Sequence, residues 1–537
     1  METLTAKQVL ERYKLAKERR GNWENHWREC YEYALPHRES AVTLSAPGSK
    51  RTDRLFDGTA PDAVEQLAAS LLSQLTPPWA RWFGLAEGNE LSPEEKEVAA
   101  PALEKASTVL QAHFDKSNFA VEMHQCYLDL VSVGTACLLF EEAPLGDASA
   151  FRFMAVPLSQ VVFEENSYGA LDTTFRRSEM RPSEMTKRFP KAKISDDVMK
   201  RGREDPNFRM AVVEAVIPDG PGYAYLAVNE AEAGENDGAQ VLAQGKFRRS
   251  PFINFRWLKA PGEVYGRSPV MKALPDIKTA NKVVELVLKN ASIAVTGIWQ
   301  ADDDGVLNPA SIKLVPGTII PKAVGSAGLS PLQPAGRFDL SQLILKDLRQ
   351  QIRKALLADK LGQPEQPHMT ATEILERAAE MARLLGATYG RLQSELLTPL
   401  IDRAVAVLAR RGVIPAIHID GRTVELEYKS PLARQQARQD AQNAIAWLDT
   451  LKALGPAAAA SVNQPAAVEW LAKAFGVPRS LIRQQPLPDD MAQLMPDLAG
   501  QAMEALSNPA AGEAVTALVS GLASPDNLPT KEPSDAE

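Results

Sequence analysis

Cysteine and histidine are scarce in this chain of 537 residues, which contains three of the former and six of the latter. Cys30, Cys126 and Cys137 form no CxxC pair, and their odd number indicates a reducing compartment without a disulfide framework. The histidines show no metal-ligand spacing and no HExxH motif occurs, so we predict no metal site. Neither a GxxxxGKS/T phosphate loop nor a GxSxG nucleophile elbow is present. We therefore predict a protein that is not an enzyme and uses no cofactor.

Long apolar runs are also missing. The longest, residues 128–140, includes Asp129 and is shorter than the roughly 20 residues that a membrane helix requires. The N-terminal residues are charged and do not resemble a signal peptide. We therefore expect that the protein does not insert into a membrane. We expect it to be assembled inside a cell.

The formal net charge of -8 is concentrated at one end of the chain. Residues 484–537 contain nine acidic residues and one basic residue, Lys531, whereas the rest of the chain is formally neutral. This tail is rich in Ala, Pro, Gly and Ser and contains no aromatic residue, which predicts a mostly disordered segment. The acidity argues against a basic-arm DNA binder, but it does not exclude a protein that handles DNA without binding it tightly.

The spacing of apolar residues changes along the chain. Helical periodicity in the first part gives way to short β-branched and aromatic runs, so the first 260 residues predict an α+β unit. The predicted helices are 5–35, 59–75, 92–117, 120–133 and 182–201, and the predicted strands include 151–156, 160–163, 212–217, 223–228 and 252–257.

The middle of the chain predicts helix, small β insertion, helix, loop and long helix. Ser268 and Pro269 are good first residues for the helix to about 295, in which Glu285 and Lys289 have favourable i,i+4 order. Asp302-Asp303-Asp304 in the insertion predicts an exposed turn, with weak divalent-ion binding as the alternative. The long helix begins near 370 with a capping box, and Pro399 is one of its weak points. The small insertion cannot bury much apolar surface alone, which favours oligomerisation.

An ordered series of short motifs accompanies these elements. The motifs are Trp79-Ala80-Arg81-Trp82-Phe83, Val133-Gly134-Thr135-Ala136, Tyr265-Gly266-Arg267-Ser268, Asn281, Thr296-Gly297, Thr372-Glu373-Ile374 and Glu376-Arg377. In order and spacing, over about residues 5–480, the series resembles the head-to-tail connector, or portal, proteins of short-tailed bacteriophages.

The resemblance implies a portal fold of the α+β class with an acidic tail outside the family pattern. Its parts would be an α/β wing (1–262), a first stem helix (263–296), a small β-containing clip (297–337), a second stem helix (338–358), a tunnel loop (359–369), a long bent wing helix (370–423), a helical crown (424–483) and the low-complexity tail (484–537).

The resemblance also implies a function. Such proteins form a ring, usually of twelve copies, around an axial channel for double-stranded DNA at one capsid vertex of the virion, and they serve genome packaging and ejection. The implied partners are further copies of the chain, non-specifically held DNA, the major capsid and scaffolding proteins, the terminase motor and a tail adaptor protein. Another oligomeric virion component, such as a tail adaptor or an inner-core protein, is the alternative.

Basic and polar residues of the stem helices and tunnel loop are the candidates for a DNA-facing surface. Both stem segments carry a small excess of basic residues, and a channel in which DNA slides should hold phosphates weakly. The alternative is that these residues lie on solvated outer faces. The candidates are Lys278, Lys282, Lys289, Lys346, Arg349, Arg353, Lys354, Lys360, Gln363 and His368. The family-motif positions are Tyr265, Gly266, Arg267, Ser268, Thr372 and Glu373.

Overall fold

The computed structural model describes residues 5–38, 52–192, 194–230, 240–296, 299–301, 324, 329–331, 338–358, 386, 388–428, 431–454 and 462–475. The chain divides into two compact units, Met1–Gln436 and Ala437–Glu537. The first unit combines helices with antiparallel sheets, which confirms the predicted α+β class.

Capping residues set the helix starts that the sequence predicted. Thr5 and Gln8 form a capping box before the first helix, and Ser92 and Glu95 form another before the third. The helices are α1 (Ala6–Ala34), α2 (Thr59–Leu75), α3 (Pro93–Asp115), α4 (Phe119–Val133), α5 (Pro182–Arg188), α6 (Asp196–Glu204), α7 (Pro269–Thr296), α8 (Phe338–Ala355), α9 (Thr398–Arg410), α10 (Pro431–Ala453) and α11 (Gln464–Phe475).

The structure contains two helices where the sequence predicted one, over residues 182–201. The stretch 182–201 divides into α5 and α6, and Phe189 is the C-cap residue of α5. Pro190 follows it, and a residue before proline is disfavoured in the helical conformation. The single-helix prediction was therefore wrong at this point.

All strand pairs of the described residues are antiparallel. A five-stranded sheet has the order β4-β5-β6-β7-β8, and a three-stranded sheet has the order β3-β2-β9. The strands are β1 (Phe83–Glu87), β2 (Thr135–Glu142), β3 (Phe151–Ala155), β4 (Val161–Glu165), β5 (Leu171–Met180), β6 (Met210–Asp219), β7 (Gly222–Asn229), β8 (Val241–Phe247), β9 (Phe252–Arg256), β10 (Trp299–Ala301), β11 (Leu329–Pro331) and β12 (Val424–Tyr428).

Helices cover the two faces of the five-stranded sheet. The first turns of α1 contribute Val9 and Tyr13 to a cluster with Val213, whereas Met185 of α5 packs in another cluster with Val212. Neighbouring residues of β6 thus face opposite helices, as the two-residue period of a strand requires. The largest core lies elsewhere in the first unit and joins α2, α4, β2, β9, α8, α9 and the first half of α7.

Strand β12 pairs with β1 in a two-stranded sheet, with Phe83 opposite Tyr428 and Glu87 opposite Val424. The crown predicted from residue 424 therefore begins with a strand that hydrogen-bonds to the predicted wing. The second unit contributes the later part of α10, from Ala437, and α11.

The long helix contains a wide turn just before α9. Residues Gln393–Leu397 are a π-helix, in which the N–H of Thr398 donates to the carbonyl of Gln393 five residues back. Pro399 explains this turn, because it has no N–H to donate to the carbonyl of Glu395 in an ordinary α-helix. Residues 359–385, which include the predicted tunnel loop and the predicted helix start near 370, lie outside the described residues.

Candidate functional site: the helix pair and its anchors

The motif before α7 begins with a buried tyrosine. The ring centroid of Tyr265 lies 5.9 Å from that of Trp23, 5.0 Å from that of Trp27 and 5.7 Å from that of Phe163. Its hydroxyl oxygen accepts a hydrogen bond from the backbone N–H of Phe163 at 3.4 Å. Burial raises the pKa of Tyr265 to about 12, so the hydroxyl stays protonated at neutral pH. Tyr265 therefore acts by packing, as the centre of an aromatic cluster.

The next motif residue, Gly266, lies against the backbone of Gly134. A Cβ atom on Gly266 would lie 2.1 Å from the carbonyl oxygen of Gly134, and Gly134 itself has a φ of 79°. The N–H of Gly266 donates to the hydroxyl of Thr135 at 2.8 Å. Only glycine fits both positions, because any side chain would separate the two backbones. The motif that contains Gly134 and the motif that contains Gly266 therefore pack directly against each other.

Ser268 completes this junction. Its hydroxyl oxygen accepts from the N–H of Met271 at 2.9 Å, which caps α7 as predicted, and the hydroxyl donates to the carbonyl of Ser132 at 2.8 Å. Arg267 forms an ion pair with Glu263, and its guanidinium lies 5.1 Å from the Trp23 ring centroid. The motif therefore fixes the start of α7 against α1 and α4.

A second anchor joins the middle of α7 to the segment before α2. The side-chain oxygen of Asn281 accepts from the N–H groups of Phe56 at 2.6 Å and Asp57 at 3.1 Å, and its amide donates to the carbonyl of Arg54 at 2.8 Å. A single buried side chain therefore holds three backbone groups.

Asp57 extends this anchor to α8. One carboxylate oxygen accepts from the N–H of Thr59 at 3.0 Å, and the other lies 2.7 Å from Nη2 of Arg349. Burial alone would raise the pKa of Asp57, but the hydrogen bonds from Thr59 and Arg349 outweigh it and hold the pKa below its ordinary value. The candidate Arg349 is thus a structural link between α8 and the segment that Asn281 holds.

The candidate bases of α7 have acidic partners within the chain. Lys282 and Lys289 both contact Glu285, at 3.0 Å and 2.6 Å, which confirms the predicted i,i+4 pair. Lys278 lies 3.2 Å from Glu29 of α1 and 5.9 Å from the ring centroid of Tyr33. The hydrogen bonds from Lys289 and Lys282 hold the pKa of Glu285 below its usual range. These lysines therefore present a reduced net charge to any ligand.

Apart from Arg349, the candidate bases of α8 lie on the exposed side of the helix. Leu345 and Ile352 are buried, whereas Lys346, Arg353 and Lys354 are exposed. The described part of the chain places no acidic group within ion-pairing distance of these three. They therefore form the outward basic face of α8.

Five of the sequence-predicted residues and one predicted turn lie outside the described residues. The residues are the loop candidates and the two later motif positions, and the turn is the acidic one of the insertion. They are Lys360, Gln363, His368, Thr372, Glu373 and the Asp302-Asp303-Asp304 turn.

Sequence reasoning missed a buried arginine. The side chain of Arg256 on β9 is 0% exposed, and its Nη2 lies 2.7 Å from the carboxylate of Glu395 in the π-helix. Glu395 also accepts from the backbone N–H of Arg256 at 2.9 Å, while Nη1 of Arg256 donates to the carbonyl of Val264 and Nη2 donates to that of Gly169. The pair ties the long helix to the residues just before the motif. No local pattern could have indicated it, because its two charges are 139 residues apart.

Side chains suited to binding a metal ion are not grouped in the residues with described positions. No cluster of three or more His, Cys, Asp or Glu side chains there is arranged to hold a metal ion. The three cysteines are buried and free, and burial raises the pKa of the Cys30 thiol to about 12. Within the same ranges, no helix has the length and apolar character needed to cross a lipid bilayer.

Comparison with known proteins gives a family match along most of the chain. A family model described as bacteriophage head to tail connecting protein matches residues 6–482. The probable portal protein of Bordetella phage BPP-1 is 27% identical over 463 residues, which cover 82% of this chain and 81% of that protein. The portal protein of Salmonella phage epsilon15 is 24% identical over 508 residues and that of Escherichia phage T7 is 21% identical over 421, covering 89% and 77% of this chain and 88% and 76% of those proteins.

Among solved structures, a chain from the virion of a native gene transfer agent particle matches with a TM-score of 0.32 and 13% identity. The match covers 73% of this chain and 86% of that chain. A chain from the neck of such a particle, computed with C12 symmetry, has a TM-score of 0.31 over 71% of this chain and 85% of that one, again with 13% identity. These scores are too low to support an argument about this chain.

Proposed function

We propose that this chain, which belongs to the family of bacteriophage head to tail connecting proteins, forms a ring whose axial channel passes DNA during packaging and ejection. As a portal protein it is a component of the virion at the capsid vertex. The ring would also be the docking platform for the terminase motor and the tail, and the capsid, scaffolding and tail adaptor proteins would surround it. Twelve copies is the number we propose.

The fall in burial along α7 supports the ring. Up to Asn281 the helix alternates buried and exposed residues, as a helix against a core does, whereas no residue from Lys282 to Ser292 is buried. Leu286 and Leu288 are 48% and 54% exposed, and Leu343 of α8 is 68% exposed. Leu286 and Leu288 are two residues apart and therefore lie on different sides of α7, and large apolar side chains exposed in this way mark surfaces that another protein covers. Further copies of the same chain would cover them in a ring.

The division into parts follows from this helix pair. We propose α7 and α8 as the stem helices, residues 297–337 as the clip and the α+β region as the wing. Residues 359–369 would be the tunnel loop and 484–537 the acidic tail, and the segment 370–423 would contain the long wing helix, which ends at Arg410 rather than at 423. Because β12 pairs with β1, we place the crown after that strand.

The outward face of α8 supplies the bases that we propose for the channel wall. Lys346, Arg353 and Lys354 are exposed and differ from Arg349, whose charge is used by Asp57. A few bases per subunit would attract phosphates without binding DNA tightly, because each neutralised phosphate adds salt-dependent affinity. DNA could then slide.

Two measurements test the proposal separately. Replacing Leu286 and Leu288 with Ser should reduce the fraction of rings counted by negative-stain microscopy, since the replaced surface would no longer be apolar. Replacing Val98 and Val121, which are exposed on α3 and α4, with Ser is the matched control. Rings that form equally well in both variants would contradict the assigned interface.

The channel is tested with rings that have already formed. Arg353→Glu together with Lys354→Glu should leave rings intact and reduce the DNA packaged per capsid, because the reversed charges repel phosphate. The control reverses Arg201 and Arg203, which lie on α6 outside the helix pair. Unchanged packaging in the α8 variant would refute a DNA-facing role for this face.

A further inference from the structure

A basic cavity lies between the β8–β9 turn, α9 and the segment that follows α9. Its volume is about 350 Å³, at the lower end of the range for ligand-binding pockets. Its lining includes four arginines, Arg248, Arg249, Arg403 and Arg410, but only one carboxylate, that of Asp402. The portal function leaves this cavity unexplained, because it involves neither α7 nor α8.

The four arginines are not equally neutralised. Arg249 forms an ion pair with Asp402, and Arg410 forms one with Glu142 outside the lining. Arg248 is exposed and has no acidic partner among the residues whose positions are described. Two of the four charges are thus compensated, and Arg248 and Arg403 give the cavity its positive excess.

Arg403 is the least ordinary of the four. It is only 6% exposed, yet its hydrogen bonds go to two backbone carbonyls, with Nε 2.8 Å from the oxygen of Phe140 and Nη1 2.7 Å from that of Arg249. Nη2 has no acceptor in the described parts of the chain. Burial and the nearby charge of Arg410 lower the pKa of Arg403 to about 10, and its guanidinium lies 5.4 Å from the ring centroids of Phe140 and Phe247. A buried guanidinium of this kind is a ready site for an anion.

The shape and the remaining lining select the kind of anion. Val407, Ala416 and Ile417 add apolar surface beside the arginines. A DNA duplex is too broad to bring a phosphate to a residue as deep as Arg403, whereas an acidic side chain on a peptide is narrow enough to enter. We propose that this cavity binds an acidic peptide segment of a partner protein, with a carboxylate at Arg403 and Arg248 and a neighbouring apolar side chain against α9.

The test uses the full-length protein and a fluorescein-labelled peptide of alternating Glu and Leu, with a second peptide in which Gln replaces Glu. Fluorescence anisotropy should show at least about tenfold tighter binding of the Glu peptide, because charge-assisted hydrogen bonds to guanidinium require the carboxylate. Equal binding of the two peptides would overturn the proposal.

Two variants locate the binding. Arg248→Glu should weaken the Glu peptide by about tenfold or more, whereas Arg209→Glu, an identical charge change at an exposed residue outside the lining, should leave binding within about twofold. Equal losses in both variants would indicate only a general charge effect and refute the site.

Ala406→Phe tests the cavity itself, because it fills the space from α9 without removing a charge. The variant should lose binding while its thermal unfolding temperature stays close to that of the native chain. Retained binding in the folded variant would refute the cavity as the site. Displacement of the peptide by a short DNA duplex, in a manner that depends on Arg248, would show a nucleic-acid site and would also overturn the proposal.

Discussion

Asn281→Ala removes the amide that joins α7 to the segment before α2. Three hydrogen bonds disappear together, and the N–H groups of Phe56 and Asp57 lose their acceptor. Asp57 is 6% exposed, so water cannot readily replace the lost bond, whereas Phe56 is 40% exposed. A buried donor without a partner costs about 1–3 kcal/mol, and the exposed one costs less. We therefore expect a local loss of about 3 kcal/mol.

Hydrogen exchange measured by mass spectrometry on a peptide that covers residues 52–60 reports this loss directly. A loss of about 3 kcal/mol corresponds to roughly hundredfold faster exchange of the two amides. Asn290→Ala is the matched control, because Asn290 is exposed on the same helix. Unchanged exchange in Asn281→Ala, or an equal increase in both variants, would refute the idea that this side chain holds the anchor.

The same anchor predicts coupling to α8. Asp57 forms an ion pair with Arg349. The loss of stability caused by Arg349→Ala should therefore be smaller when Asn281 has already been replaced. A double-mutant cycle should give a coupling of about 0.5–1.5 kcal/mol. Additive effects would show that the two contacts work independently.

Three further predictions concern the buried contacts. Gly266→Ala should destabilise the chain by more than about 2 kcal/mol in thermal melts, because its Cβ would meet the Gly134 carbonyl at 2.1 Å, whereas Gly21→Ala in α1, with nothing within 4 Å, should be neutral or stabilising. Arg256→Met should cost about 1–3 kcal/mol in urea unfolding, since the buried hydrogen bonds of the guanidinium are lost while Arg391 and Lys259 still partner the carboxylates of Glu395 and Glu165, and unchanged stability would contradict this. The pKa of Asp57 is depressed, so its stabilisation is complete above about pH 4 and is lost as the pH falls through the folded value; Asp57→Asn should therefore differ from the native chain at pH 7 and converge with it in acid, and a constant difference would contradict the assignment.

Local signals accounted for most of the element boundaries. Ser268 correctly predicted the start of α7, because a capping residue acts on an N–H group within one turn of itself. Pro399 likewise marked the weak point of the long helix, since the missing N–H is a property of the residue itself. The prediction of one helix over 182–201 was wrong because proline disfavours the helical conformation at the residue before it, and Pro190 follows the end of α5.

The candidate bases show where sequence reasoning ends. Charge type and helix position suggested Arg349 and Arg353 equally, and both are exposed, but only the fold brings Asp57 to Arg349. Similarly, the pairing of Lys289 with Glu285 is predictable from i,i+4 spacing, whereas that of Lys278 with Glu29 depends on how α1 packs.

The sequence by itself determined the α+β class, the order of the elements and the ordered motifs that identify the family. These features depend on interactions within a few residues or on patterns that survive without a structure. Only the tertiary structure decided that Gly134 meets Gly266, that Asn281 holds Asp57 and that Arg403 lies at a basic cavity without a carboxylate partner. The physical reason is that burial and charge compensation depend on partners more than a hundred residues away along the chain, and those partners meet only when the chain folds.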